Sequence, residues 1–115
     1  MKPATVSQLK KELTYRSSEE LEALCLRLAR FKLENKELLT YLLFESEDDA
    51  SYIRAIKAEV DEQLSEINTS SYYFIKKSVR KVLRTVKKYI RYTQNKETEV
   101  ELLLYFCEQL KDFTP

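Results

Sequence analysis

Lys77, Arg80, Lys81, Arg84, Lys88 and Arg91 fall within one stretch, residues 72–92, which reads YYFIKKSVRKVLRTVKKYIRY. The stretch carries eight Lys or Arg and no Asp or Glu. Lys and Arg held along a rigid helix track phosphates or carboxylates, and an aromatic in line with them stacks on an exposed base or sugar. At 3.6 residues per turn the six cations share one side with Tyr73, and Lys76 and Lys87 lie at its edge. Ile75, Val79, Val82, Leu83, Val86 and Ile90 fall on the opposite side, the face expected to enter a core.

The wider charge map isolates this stretch. Residues 1–66 hold 10 basic and 14 acidic residues, a net of −4, and residues 97–115 hold one basic and five acidic, again −4. Residues 67–96 hold nine basic residues and no acid, inside a chain whose net charge is only +1. Two readings stand at this point. The cations can form a plain solvated face or pair internally with Glu59, Glu62, Glu66 or the acids of 97–101, or they can be a docking surface for an acidic protein, a nucleic acid or, less readily given branched aliphatics suited to a core, a membrane surface.

Other chemistry lacks its residues. The chain has no histidine, which removes the commonest general base and zinc ligand. Without glycine there is no phosphate-cradling loop of the Walker or Rossmann kind and no ordinary EF-hand loop. The densest carboxylate run, 45–49, sits at an expected helix start, where negative charge is favoured by the free N–H groups. No enzyme activity, cofactor or metal is expected.

The elements that carry these residues are expected to be helices throughout. The 115 residues suit a single domain, 43% hydrophobic and 34% charged, with prolines only at Pro3 and Pro115. A β fold without glycine at its turns is hard to build, whereas Leu, Lys and Glu favour helix. Asn35, Asn68 and Asn95 mark interruptions in the apolar periodicity, since Asn serves at both helix ends. The expected fold class is all-α, five or six antiparallel helices in one compact bundle.

The helices are expected over about 6–14 (capped by Thr5 with Gln8), 17–33 (Ser17 with Glu20), 36–45, 46–67 (from Ser46), 71–93 and 96–112. The second and third are either separate or one kinked helix. The third, with Leu38, Leu39, Leu42, Leu43 and Phe44, reads as central and well covered; the last turns Val100, Leu103, Leu104 and Cys107 inward. Leu24, Leu28, Leu42, Ile56, Val60, Val82, Val86 and Leu103 are the expected core, and Cys25 and Cys107 the expected buried, inert thiols. Asn-Lys-Glu followed by a leucine-rich helix occurs from Asn35 and again from Asn95, which fits either αα-hairpin stacking of the HEAT type or two buried helices with similar caps.

The segment SQLKKELTYRSSEELEALCLRLARFKLENKELLTYLL resembles small uncharacterised all-helical bacterial proteins that open with an LKKEL-type helix. The resemblance covers about the first third of the chain and implies helices but no site residues. No apolar run approaches the roughly 20 residues of a membrane span, and the first residues lack the apolar centre of a secretory signal. The expectation is a cytoplasmic, non-enzymatic interaction or scaffolding domain. Its partner is an acidic protein surface or a second copy of itself, with a nucleic-acid-binding accessory role for the basic helix as the alternative.

Overall fold

The computed structural model describes residues 1–113. Among these the chain is all-helical: α1 (Val6–Thr14), α2 (Ser18–Phe31), α3 (Leu33–Thr40), a π-helical turn (Tyr41–Glu45), α4 (Asp49–Ser65), α5 (Tyr72–Thr93) and α6 (Lys96–Asp112). Six α-helices and no strand answer the expected fold class. The chain divides into two units, residues 1–40 and 41–115.

In the first unit, α1 and α2 each begin with a reciprocal capping box. Gln8 N–H donates to Thr5 Oγ1 (3.2 Å) while Thr5 N–H donates to Gln8 Oε1 (2.9 Å). Ser17 and Glu20 repeat the exchange at 3.1 Å in both directions. The Ser17 backbone N–H, and then its hydroxyl, hold the Glu20 carboxyl below the usual carboxylate range. α2 and α3 are separate helices, because Lys32 is extended (φ −141°, ψ 144°). The break lies three residues before Asn35, the expected boundary. Asn35 sits inside α3 and donates its side-chain amide to the Leu28 carbonyl (2.8 Å), closing an orphan acceptor in the last turn of α2.

Of this unit's residues only Ala29 is buried. Leu24 and Leu28, expected in the core, are exposed, and so is Cys25. The periodicity located the apolar stripe of α2 correctly, but a stripe specifies a face that favours cover, not that cover exists.

The second unit holds the core: α4, α5 and α6 each pack against the other two. α4 contributes Tyr52, Ile53, Ile56, Val60 and Leu64, the expected Ile56 and Val60 among them, and α5 contributes Val82, Val86 and Ile90 from its expected stripe. The π turn, closed by Ser46 N–H donating to the Tyr41 carbonyl (2.9 Å), brings Tyr41 onto Tyr52 with ring centroids 4.6 Å apart. A π turn advances each residue by less than the α-helical 100°. Here Tyr41 is buried and Leu42, Leu43 and Phe44 are left exposed, so the expectation of a well-covered helix at 36–45 fails, Leu42 included.

α6 also differs from expectation. Its buried side chains are Thr98, Leu102 and Phe106, with Leu103 half-buried, while Val100, Leu104 and Cys107 face solvent. The helix has two apolar stripes separated by Leu103. The core takes the one that adds the large Phe106 ring. Helix starts shift in the same modest way: Asp48, not Ser46, caps α4 by accepting from Ser51 N–H (3.1 Å), and Ser71 caps α5. Asn95 caps α6 as expected, accepting from Glu97 and Thr98 N–H. The two Asn-Lys-Glu segments therefore differ in structure, since Asn95 starts a helix and Asn35 closes one.

Candidate polyanion-binding ridge

α5 starts where Ser71 Oγ accepts from Phe74 N–H (3.3 Å) and runs for 22 residues, about 33 Å at 1.5 Å per residue. It ends at Gln94, whose φ of 55° is the one positive value among the described non-glycine residues. The turn of only two residues that follows lays α6 back against α5. With Val82, Val86 and Ile90 buried against α4 and α6, the opposite face of α5 is turned to solvent by geometry alone.

On that face Lys77, Arg80, Lys81, Arg84 and Arg91 are exposed, joined by Lys76 and Lys87 at the edges. None of these seven makes an ion pair among the described residues. Lys88 differs: it is half-buried, with its ammonium 4.9 Å from the Tyr89 ring centroid. Tyr73 is 66% exposed and packs edge-on against Phe74, centroids 5.3 Å apart, and Tyr72 beside it is 79% exposed. Tyr73, Lys76, Lys77, Arg80 and Arg84 together line an open groove of about 230 Å³. The sequence reading singled out Tyr73 but missed Tyr72 and Phe74. The available signal was three consecutive aromatics directly after a serine cap, where the first helical turn has no preceding turn to cover it.

The acids that were candidates to neutralise the ridge are engaged elsewhere or stand apart. Asp61 on α4 accepts from Tyr105 on α6; Glu101 pairs with Lys57 (3.2 Å) and Glu99 with Lys96 (3.8 Å). Glu59 accepts from Gln63 one turn on (3.2 Å), and Asp49 from Asn95 (3.2 Å). Glu66 shares the rim of a groove with Lys81 but makes no ion pair with it. The Lys57–Glu101 ion pair and the Tyr105–Asp61 hydrogen bond thus join α4 to α6.

Among the described residues no group of three or more His, Cys, Asp or Glu side chains is placed to hold a metal ion. No described helix is long and apolar enough to cross a membrane. Compared with protein-family models, curated proteins and solved structures, the chain shows no significant match.

Proposed function

We propose that this protein is a non-catalytic helical binding module whose α5 ridge engages the phosphate backbone of a nucleic acid, single-stranded for preference. The observation that carries the reading is the row of seven exposed cations without a carboxylate partner among the described residues, ending at exposed Tyr72 and Tyr73. A linear track of cations neutralises successive phosphates, and exposed rings at its end stack on bases without regard to sequence. An acidic protein surface would meet the same cations but gives the aromatic rings no comparable role. Insertion into a lipid surface is disfavoured, because the apolar face of α5 is already the core. A cytoplasmic setting suits two exposed free thiols, Cys25 and Cys107.

The test is fluorescence anisotropy of labelled single-stranded and duplex oligonucleotides across a salt series. Five phosphate contacts give a log–log slope of about −3.5 on single strands and about −4.5 on duplex. Arg80→Glu with Arg84→Glu should abolish binding with helicity and melting unchanged, because neither side chain enters the core. No binding at low salt, or unaltered binding by that variant, overturns the reading. Equal affinity for polyglutamate would assign the ridge to an acidic protein instead.

A further inference from the structure

The first unit presents a second surface, independent of the ridge, and its residue order specifies what covers it. α2 is acidic in its first half (Glu19, Glu20, Glu22) and basic in its second (Arg27, Arg30). All five side chains are exposed, and none makes an ion pair among the described residues. Between them runs the stripe Leu21, Leu24, Cys25 and Leu28, also exposed, with Leu28 at 62%. The stripe is symmetric about the point between Leu24 and Cys25: Leu21 and Leu28 lie equally far from it, as do Leu24 and Cys25.

From this pattern we infer that α2 is a self-association helix, pairing antiparallel with α2 of a second copy of this chain about a two-fold axis between Leu24 and Cys25. The two-fold operation lays Leu21 against Leu28 of the second copy and Leu24 beside its Cys25, the reciprocity an isologous interface requires. It sets the acidic half of each helix against the basic half of the other. Glu20 and Arg27 are seven residues apart, hence on one flank of the stripe, so each Glu20 runs alongside Arg27 of the second copy. Glu20 Oε1 is held by Ser17 N–H, leaving the other carboxylate oxygen for that contact. A parallel pairing would set glutamate on glutamate and arginine on arginine.

A 40-residue unit with one buried residue is too small to hold its helices by its own core. A second copy of the chain would supply the cover that this unit's own core lacks.

Light scattering on the full chain after size exclusion should give twice the 13.7 kDa chain mass. Leu24→Glu and Arg27→Glu should each shift the protein to monomer. Leu24 is exposed in the monomer, and Arg27→Glu leaves the stripe intact, so retained helicity in either variant separates lost pairing from misfolding. In a Cys107→Ser background, copper-phenanthroline oxidation should join Cys25 to Cys25 of the second copy. Antiparallel helices with axes about 9 Å apart bring those two Cα atoms to about 6 Å, within disulfide reach. Leu24→Glu should cut the cross-linked yield at least tenfold. A monomer at every concentration, or a dimer whose Cys25 neither cross-links nor resists a thiol reagent, overturns the inference. So does a dimer that survives both substitutions.

Discussion

Tyr105 on α6 donates its hydroxyl to the Asp61 carboxylate on α4, lying 2.6 and 2.7 Å from its two oxygens. The Lys57 ammonium, itself paired with Glu101, sits 5.0 Å from the centre of the same ring. One aromatic ring thus gathers an acid and a cation from α4 onto α6, which fixes the pairing of these two helices.

Burial, and then the hydrogen bond to Asp61, push the Tyr105 hydroxyl up to about 12 from an ordinary value near 10. The folded state therefore holds this proton more tightly than the unfolded chain does. The resulting stabilisation is complete below pH 10 and is lost as pH rises towards 12. Tyr105→Phe should lower stability by about 1 kcal/mol at neutral pH. It should also remove the most alkaline step from a tyrosinate absorbance titration; an unchanged titration would show that the hydroxyl is not held by Asp61.

Neighbouring leucines on α6 should behave in opposite ways. Leu102 is 1% exposed, and its replacement by Ala should cost about 2–5 kcal/mol in urea unfolding. Leu104 is 58% exposed, and the same change there should stay within about 0.5 kcal/mol. Reversed magnitudes would mean that the helix is turned as its leucine spacing first suggested.

Gln94 ends α5 in the left-handed region, where Cβ comes too close to a backbone carbonyl oxygen. Gln94→Gly should raise stability by about 0.5–1 kcal/mol, the strain relieved less the entropy glycine adds to the unfolded chain. Gln94→Val should lower the melting temperature. Thermal melts of the pair decide it, and a glycine variant that melts lower would count against the strained turn.

Tyr73 stands exposed at the start of the ridge and has no role in the core. If bases stack there, Tyr73→Ala should weaken single-strand binding by about 1–3 kcal/mol and leave the salt slope unchanged. A changed slope with little loss of affinity would show that the ring only spaces the lysines.

Much of this was legible in the residues. Thr5 with Gln8, Ser17 with Glu20, and Asn95 act as caps where local spacing placed them, because a cap depends on three or four adjacent residues. The stripes of α4 and α5 were legible because each helix has a single dominant apolar side. α6 was not, since Leu102, Leu103 and Leu104 offer several phases and only packing chooses among them. The π turn has no local signature, so the exposure of Leu42 could not be read in advance. Cys25 and Cys107 were expected to be buried because both lie on apolar stripes; each stripe proved to be one that the monomer leaves open. That seven of the α5 cations make no ion pair among the described residues was equally hidden, because partners across a bundle are set by packing that no local pattern records.

Because Asp61 of α4 and Glu101 of α6 each take a partner on the other helix, the formal charge of +1 describes no single side of the molecule. On a chromatography resin, a protein is retained by the face it can turn to the bead, not by its average. Sulfonate beads would meet α5, and quaternary-amine beads the acidic helices behind it. Near its sequence pI of about 7.7 the chain should bind both resins weakly instead of passing through either. Its solubility there would depend on how often the basic side of one molecule meets the acidic side of the next.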